Sequence, residues 1–418
     1  MGYIIPVLKE RFKNSKIIAL HVDDNYKDNH FDIPVLYTTE NSKVKKFLEN
    51  EVPEIDSDKI RIIEWRPSLT FYKEAYLSLF SLVVNFLKRF DAGRRTTAVF
   101  GKRWLKNFFK NLKVVKKTLL YRQTSLPVIV TGAGPGLEQA LPLIAKMQET
   151  CLIIAASSSF LSLSSHGIHT DIVIATDGGP WALRHIYPVF RNNSSKTESV
   201  LAVNLCAALP SQSTDMPFLI INDGSYWQSI ILNKLGIPSV VIGQKGTVIA
   251  TAVELALLLS SGNIYLAGMD FSIRDIRTHV RPYAFDNIFL MQANRLRPFY
   301  SQSFTRSKLL KEGGSMDIYA AWFADQIQTW PKRIHTLTNK KEKTIKNTKE
   351  IFKEQNINED PDLFYKRGID ALLTGINNPE YEEMIIKELF PLLLPDKKTS
   401  PLIEAKQDLI KALHETLE

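Results

Sequence analysis

Cysteine is scarce in this chain, and long hydrophobic runs are absent. The 418 residues include two cysteines, Cys151 and Cys206, which lie at or beside apolar, strand-like runs. Two such thiols fit a reducing compartment better than a disulfide framework. The longest apolar run, around residues 79–87, is well short of the roughly 20 residues that a membrane span requires. We therefore expect a cytoplasmic protein without a transmembrane segment.

Several catalytic motifs are also missing. The sequence has no zinc-ligand spacing, no Ser-His-Asp order and no Walker lysine motif. It therefore gives no sign of those three mechanisms.

Acidic residues are nearly absent from one stretch of a basic chain. The formal charge is +9, and residues 88–122 contain twelve basic residues against a single acid, Asp91. Such a run is most often a solvated helix face. The alternative is that the basic helices at 88–117 dock an acidic protein, a lipid headgroup or nucleic acid.

Hydrophobic periodicity divides the chain into four predicted domains. Residues 1–70 carry a helix at 7–13 and strands at 16–24, 33–39 and 60–65, which is typical of a parallel α/β unit. A Rossmann-like unit normally opens with a strand and a glycine turn, so we predict a partial unit. Helical spacing continues from 72 to 122, and it predicts a basic helical linker at 71–125.

A Rossmann-like core is predicted at 126–300. Short apolar runs alternate there with helical stretches, a pattern typical of strands buried on both faces of a mostly parallel sheet. The predicted strands lie at 127–131, 152–156, 171–176, 200–205, 218–222, 239–243 and 264–270. The predicted helices lie at 137–149, 158–166, 180–189, 227–235 and 247–260.

A helical C-terminal region is predicted at 301–418. The sheet pattern stops near residue 300 except for one strand at 334–337, and the lysine-rich residues 340–353 are typical of an exposed helix or linker. Helical periodicity resumes at 362–373, 381–394 and 402–417.

A glycine-rich loop follows the first core strand. Because a strand, a glycine turn and a helix start occur in that order, backbone amides at 134–137 are predicted to bind a phosphate or another anion. The alternative is a purely structural tight turn. The predicted binding residues of this loop are Thr131, Gly132, Ala133, Gly134, Pro135, Gly136 and Leu137.

Small or polar residues also follow the later strands. Because ligands gather at the carboxyl ends of parallel strands, we predict that these residues bind the same ligand. Each of them has an alternative role as a helix cap or turn residue. The predicted residues are Ser157, Ser158, Asp177, Gly178, Asn204, Asn222, Asp223, Gln244, Gly246 and Thr247.

Asp270 and His279 follow the last core strand and are the predicted catalytic residues. A histidine with a pKa near neutrality can exchange a proton or bind a leaving phosphate. The alternative is that Asp270 caps a turn and His279 is exposed.

As an ordered set, these residues resemble the motility accessory factors, a family of flagellin-modifying proteins. The core of that family is similar to archaeal 6-hydroxymethylpterin diphosphokinase and to bacterial sialyltransferases. The resemblance implies a CMP-activated nonulosonic acid as donor and flagellin Ser or Thr hydroxyls as acceptor. The matching segments are 131–137, the stretch around Asp177, 245–250, 264–271 with Thr278 and His279, and 100–112.

One departure from the relatives bears on the reaction. The diphosphokinases carry an Asp-x-Asp-Gly metal site, whereas this chain has Ala175 at the first position and Asp177 at the third. Diphosphate transfer from ATP needs magnesium held by carboxylates, so we favour glycosyl transfer from a CMP-sugar, which does not require a metal although magnesium is compatible with it. The alternatives are a magnesium-dependent pterin diphosphokinase and a non-catalytic accessory protein that binds flagellin or its chaperone.

Overall fold

The computed structural model describes residues 4–23, 25, 31–52, 60–192, 199–211, 214–244, 246–312, 315–337, 346–397 and 402–417. The chain divides into two compact units. The smaller unit comprises residues 1–101 and 390–398, and the larger comprises 102–389 and 399–418.

The smaller unit contains the predicted parallel α/β arrangement. Its two strands pair in parallel, and Val44, Leu48 and Leu79 form a small buried core against them. Its elements are α1 (Ile4–Arg11), β1 (Ala19–His21), β2 (Val35–Tyr37), α2 (Asn41–Glu51), α3 (Arg66–Phe71) and the first part of α4 (Lys73–Leu112).

The third strand predicted in this unit is wrong. Residues 60–65 form no strand, and Ile62 and Ile63 are 44% and 49% exposed. A short apolar run makes a strand only where a neighbouring strand and a core are available to it. Neither isoleucine is buried here.

The helical spacing predicted as far as residue 122 is also wrong in its last part. Helix α4 ends at Leu112, and β3 (Val115–Tyr121) follows as a strand of the large sheet. Val115, Thr118 and Leu119 are buried in that strand. The β-branched Val115 and Thr118 suit a pleated, half-buried strand better than a helix interior.

The larger unit is built on a ten-stranded, mostly parallel sheet, which confirms the predicted fold class. The strand order is β11-β10-β4-β5-β6-β7-β8-β3-β12, where β11 is Ile334–Thr336 and β12 is Phe352–Asn356, and β9 pairs with β8. Only the pairing of β12 with β3 is antiparallel among the strands that the structure describes. All seven predicted core strands are confirmed as β4 (Val128–Thr131), β5 (Leu152–Ala156), β6 (Ile172–Ala175), β7 (Val200–Asn204), β8 (Thr214–Asn222), β9 (Ser239–Val241) and β10 (Ile264–Ala267).

Helices cover both faces of this sheet, as a buried parallel sheet requires. Ile129 and Ile153 pack on one face with α5 (Leu137–Met147) and α6 (Ser157–Ser165). Val130 and Ile154 pack on the other face with α9 (Val248–Leu259). The remaining predicted core helices are confirmed as a short 3-10 helix, Pro180–Ala182, that leads into α7 (Leu183–Asn192), and as α8 (Tyr226–Lys234).

The C-terminal region is largely helical, as predicted, but it also completes the sheet. The predicted strand at 334–337 is confirmed as β11 (Ile334–Thr336), next to β10. The exposed helix or linker predicted at 340–353 is wrong at its end, because β12 (Phe352–Asn356) pairs with β3; residues 340–345 lie outside the described residues. The helices are α10 (Asp286–Met291), α11 (Phe299–Glu312), α12 (Ser315–Thr329), α13 (Pro361–Ile376), α14 (Glu382–Leu393) and α15 (Leu402–Leu417).

The strand order reverses at β4. From there the chain adds β5 to β8 on one side of the sheet and later places β10 and β11 on the other. In an open α/β sheet, ligands bind outside the carboxyl ends of the strands at such a reversal. The ends of β4 and β10 therefore locate the candidate site. No helix among the described residues is long and apolar enough to cross a membrane.

Candidate functional site

The glycine-rich loop after β4 is hydrogen-bonded to the end of β10. The Gly132 amide donates to the carbonyl of Ala267 over 2.8 Å, and the Gly134 amide donates to the carbonyl of Gly268 over 2.9 Å. The Gly136 amide donates to Oδ2 of Asp270 over 2.8 Å. A protein carboxylate therefore already occupies one amide of the predicted phosphate-binding loop.

The glycines of this loop are required by the close approach of Asp270. A Cβ atom on Gly134 would lie 2.1 Å from Asp270 Oδ2, and one on Gly136 would lie 2.1 Å from Oδ1. A Cβ on Gly132 would lie 2.5 Å from the Gly268 carbonyl oxygen. Any larger residue at 134 or 136 would have to displace the carboxylate.

Three other predicted loop residues turn their side chains into the core. Thr131, Ala133 and Leu137 are 0%, 4% and 0% exposed. Thr131 Oγ1 lies 3.0 Å from Ser159 Oγ, within hydrogen-bonding distance. Pro135 has no amide hydrogen to donate. The Leu137 amide donates to the carbonyl of Gly134 over 3.0 Å, so every amide at 134–137 already donates within the protein, which corrects the prediction that these amides bind a phosphate.

Ser157 and Ser158 open helix α6, directly after β5 and beside the glycine loop. The preceding residue, Ala156, provides no side-chain cap for the helix. The first turn of such a helix has amide donors without intrahelical partners and a positive dipole end. Ser157 is 8% exposed and Ser158 is half-buried.

Asp177 and Gly178 follow β6 and are held by the end of α4. The Asp177 side chain is exposed, and its Oδ1 accepts the amide of Gly179 over 2.8 Å. A Cβ on the buried Gly178 would lie 2.5 Å from Trp104 Cδ1. Asn107 Nδ2 donates to the Gly178 carbonyl over 3.1 Å. Neither Trp104 nor Asn107 was predicted, since both lie in the segment assigned to a basic linker.

Asn204, Asp223 and Gln244 are brought together through Gln228, which was not predicted. Asp223 Oδ2 accepts from Gln228 Nε2 over 2.8 Å and from Gln244 Nε2 over 3.1 Å. Asn204 Nδ2 donates to Gln228 Oε1 over 3.4 Å. We call Asn204, Asp223, Gln228 and Gln244 the amide network. Gln228 lies inside α8 rather than at a strand end, so the strand-end rule could not find it.

The remaining polar residues at this edge have local structural roles. Asn222 Oδ1 accepts the amide of Gly224 over 2.9 Å. Thr247 Oγ1 caps α9 by accepting the amide of Ala250 over 3.2 Å. Gly246 is exposed at φ +70°, a conformation that favours glycine. Lys245 lies outside the described residues. These contacts match the alternative role as caps and turns.

Helix α8 is capped by a residue far away in the sequence. Glu388 of α14 accepts the amides of Tyr226 and Trp227 over 3.0 and 3.2 Å. Burial raises the pKa of Glu388 above its usual value. Its carboxyl group occupies the amides that an external anion would otherwise bind.

His279 does not have the near-neutral pKa that the sequence analysis expected. Burial, the charge of Arg306 and the neighbouring His185 lower the pKa of His279 to about 3. Its Nδ1 lies 2.8 Å from Thr278 Oγ1, and its ring stacks on Tyr283 at 4.2 Å. His279 is therefore a neutral imidazole at pH 7, which corrects the prediction of a group that titrates near neutrality.

The comparisons with known proteins locate a family core within the larger unit. Residues 102–275 match the family model described as 6-hydroxymethylpterin diphosphokinase MptE-like. We call residues 102–275 the MptE-like core, after the family model that they match. The match confirms the predicted resemblance for that segment, which begins earlier and ends earlier than the predicted core at 126–300.

Two individual proteins are similar over longer stretches. An uncharacterized protein of Treponema pallidum (strain Nichols) is 28% identical over 282 residues, which cover 66% of this chain and 59% of that protein. The chain thus spans about three fifths of the length of this curated relative. The structure of MAf glycosyltransferase from Magnetospirillum magneticum AMB-1 is similar with a TM-score of 0.48 and 14% identity, over 100% of this chain and 72% of that chain.

The MptE-like core contributes the acidic residues of the site. Asp177, Asp223 and Asp270 lie within it, whereas His279 lies beyond its end. Each of the three aspartates accepts a backbone or side-chain N–H group. Within the described residues no group of three or more His, Cys, Asp or Glu side chains is arranged to hold a metal ion.

Proposed function

We propose that the larger unit binds a CMP-activated nonulosonic acid at the carboxyl ends of β4 and β10 and transfers the sugar to a Ser or Thr hydroxyl of a protein acceptor such as flagellin. One observation carries the proposal: the Asp270 carboxylate is held in the glycine loop at the point where the strand order reverses. A crevice of this kind is where α/β sheets bind nucleotides.

The position of Asp270 favours a donor of low charge. A like charge about 4 Å away costs about 4 kcal/mol at an effective dielectric constant of about 20. The phosphodiester of a CMP-sugar carries one charge near this carboxylate, whereas a nucleoside triphosphate carries several. A triphosphate would therefore need more cations to offset the repulsion than a CMP-sugar would.

The other predicted residues have roles that fit this donor. The uncapped first turn of α6, with Ser157 and Ser158, would receive the phosphate. The exposed Asp177 carboxylate would accept a ribose hydroxyl. The amide network presents the donors and acceptors that the edge of a cytosine base requires.

Asp270 is the proposed catalytic base, since it is an exposed carboxylate beside the glycine loop, whereas burial lowers the pKa of His279 to about 3 and makes it a poor base. The acceptor oxygen attacks the anomeric carbon, the bond between that carbon and the phosphate oxygen breaks, and CMP leaves. The hydroxyl proton passes to Asp270. His279 would donate or accept a hydrogen bond without changing its charge.

Two variants test the site. CMP release would be measured with a CMP-nonulosonate donor and flagellin, alongside CMP binding by calorimetry. We expect Asp270→Asn to lower the release rate by about a hundredfold, because general bases contribute at least that much, while CMP binding is retained or tightened by the loss of a like charge. Asp177→Ala should weaken CMP binding by about tenfold, the value of one charge-assisted hydrogen bond.

The matched control is Asp370→Ala, which removes an exposed carboxylate on α13. It should leave release and binding unchanged. Release that is unaltered in both Asp270→Asn and Asp177→Ala would overturn the proposed site.

A pterin diphosphokinase is the second candidate, and the match to the MptE-like family model favours it. Ala175 replaces one of the two metal carboxylates that such enzymes carry, which is why we rank it lower. The discriminating measurement is AMP formation from ATP and 6-hydroxymethylpterin with and without magnesium. Magnesium-dependent AMP formation would replace the glycosyltransferase proposal.

A non-catalytic accessory role is the third candidate. Lys102, Lys106 and Lys110 form an exposed basic face on α4, which could dock an acidic surface of flagellin or its chaperone. This role predicts no nucleotide binding. A ligand at a hundred times its Kd stabilises the folded state by about 2.7 kcal/mol, so a clear rise in the melting temperature with CMP would reject it.

A further inference from the structure

A cluster of aromatic and basic side chains lies at the border of the MptE-like core, with His185 inside the matched residues and the other members beyond residue 275. His185 of α7, His279, Tyr283, Phe285 and Arg306 of α11 form it, and we call these five residues the basic aromatic cluster. Tyr283 is central, because its ring lies 4.2 Å from the His279 ring and 5.1 Å from the His185 ring. The Arg306 guanidinium lies 5.5 Å from the same ring.

Arg306 has no carboxylate partner among the residues that the structure describes. Its guanidinium lies over the rings of Phe285 and Phe289 as well, at 5.7 and 5.6 Å. These contacts hold the half-buried guanidinium among three aromatic rings. A planar guanidinium held in one orientation can pair with both oxygens of a carboxylate or phosphate.

Two uncharged imidazoles lie beside Arg306, and the carboxylate of Asp286 accepts the amide of Tyr283 in the same cluster. Burial and Arg306 lower the pKa of His185 to about 4 and that of His279 to about 3, so both imidazoles stay neutral beside the guanidinium. Nδ1 of His185 is buried without a hydrogen-bond partner, while its Nε2 lies 3.4 Å from the Tyr283 hydroxyl. The Arg306 guanidinium and Nδ1 of His185 are the groups of the cluster whose N–H donors suit an oxyanion.

The segment that carries the cluster is hydrogen-bonded to the candidate site. The Val280 amide, next to His279, donates to the carbonyl of Ala133 in the glycine loop over 2.9 Å. Ser162 of α6 donates to the carbonyl of Arg281 over 3.3 Å. The segment that carries His279 and Tyr283 is thus bonded to both elements that are proposed to hold the donor.

We propose that the basic aromatic cluster is an oxyanion subsite in which Arg306 pairs with a carboxylate or phosphate group of the donor. The assignment rests on the proposed function, because a CMP-nonulosonate carries both groups. The Tyr283 ring contacts both imidazoles and the guanidinium and positions them.

Calorimetry on the full chain with four probes tests the subsite: CMP, N-acetylneuraminate, inorganic phosphate and cytidine. Arg306→Gln should weaken the binding of at least one anionic probe by about tenfold or more, the value of a charge-assisted pair, and leave cytidine unchanged. A loss confined to CMP and phosphate assigns the subsite to the phosphate, and a loss confined to N-acetylneuraminate assigns it to the sugar carboxylate.

The control variant is Arg295→Gln, an exposed arginine in the connection between α10 and α11. It removes the same charge from the same region and should change no affinity. Arg306→Lys keeps the charge and can still lie over the rings, but it lacks the planar fork, so an intermediate loss is expected even if Arg306→Gln does not fold.

The outcomes separate this proposal from the proposed function. If CMP binds to the wild type and weakens in Asp177→Ala, while neither Arg306 variant weakens the binding of CMP, phosphate or N-acetylneuraminate, the subsite is wrong and the proposed function stands. If inorganic phosphate binding depends on Arg306 while CMP does not bind, the subsite stands and the proposed function fails. Wild-type protein that binds none of the three anions overturns the subsite.

Discussion

Two histidines are buried as neutral rings, and their burial lowers the free energy of unfolding at acidic pH. The pKa values of His185 and His279 lie at about 4 and about 3, below the ordinary value of about 6.5. Below pH 6.5 the unfolded chain takes up protons at these positions that the folded chain does not bind. Their contribution to stability is therefore complete above pH 6.5 and is lost as the pH falls toward the folded values.

His279→Phe should flatten this dependence. Phenylalanine keeps the stacking on Tyr283 but cannot take up a proton in the unfolded chain. Each such histidine contributes a slope of about 1.4 kcal/mol per pH unit once the unfolded chain is protonated, so the variant should lose about that much of the slope between pH 6 and 5. Urea unfolding at a series of pH values measures it.

The control for this series is His414→Gln, at an exposed position on α15. Its slope should equal that of the wild type. If His279→Phe also keeps the wild-type slope, the low pKa assigned to His279 is wrong. The expectation that His279 exchanges a proton near neutral pH would then stand.

At the scale of elements, the last turns of α4 act as a clamp on two strand-end loops. Asn107 bonds the loops after β6 and β7 through the carbonyls of Gly178 and Cys206. Asn111 Nδ2 donates to the carbonyls of Leu205 and Ala207 at 2.8 Å each. The apolar face of the same helix is buried beside them, with Phe108 and its neighbours in the core. The basic residues face away, as expected for an amphipathic helix.

Asn111→Ala should destabilise the larger unit by about 2 to 4 kcal/mol. The substitution leaves two buried carbonyl groups without a donor, and each costs about 1 to 2 kcal/mol. Lys110→Ala changes the adjacent exposed residue and should stay within about 0.5 kcal/mol of the wild type. Equal stability of the two variants in urea would contradict the clamp.

Elements that are specified by neighbouring residues were predictable from the sequence, and elements that depend on distant residues were not. Strands such as Leu152–Ala156 were predictable because a short, uninterrupted run of apolar residues is typical of a strand that is buried on both faces. β12 was not predictable, since FKEQN is mostly polar and forms a strand only because β3 offers it an open edge. Edge strands depend on tertiary context more than on pattern.

The candidate site was predictable in outline but not in its electrostatics. The glycine loop and Asp270 could be placed at one sheet edge by the rule for parallel strands. That Asp270 binds the loop itself depends on an approach between residues 134 positions apart. The low pKa of His279 depends on Arg306, and the cap on α8 depends on Glu388. No local pattern encodes contacts at that separation.

At the scale of the whole molecule, the MptE-like core does not contain all the strands of its own sheet. It ends at 275, whereas β11 and β12 occupy both ends of the ten-strand order. Helix α13 covers the end of α4, where a Cβ on Gly368 would lie 2.7 Å from Leu112 Cδ1. The C-terminal region is therefore part of the folded unit that carries the site.

A buried ion pair joins the C-terminal region to the opposite end of the sheet. Lys346 Nζ lies 2.9 Å from Asp171 Oδ2, and their side chains are 10% and 2% exposed. The same Oδ2 accepts the amide of Ile153 over 2.7 Å. Burial raises the pKa of Asp171, while Lys346 opposes that shift. Removing the lysine would leave a buried carboxyl group without its counter-charge.

Truncation and substitution together test whether residue 300 ends a folding unit, as the sequence analysis predicted. A chain of residues 1–300 lacks β11, β12, α13 and Lys346, so we expect its larger unit to lose its cooperative urea transition. In the full chain, Lys346→Met should lower the free energy of unfolding by about 3 to 5 kcal/mol, because it breaks a buried ion pair. The double variant Lys346→Met with Asp171→Asn should recover part of that loss, because no buried charge is then left unpaired. Lys353→Met, at an exposed position on β12, is the matched control and should cost little. If the 1–300 chain unfolds with the same midpoint as the larger unit of the full chain, residue 300 is a domain boundary and the C-terminal region does not stabilise the core.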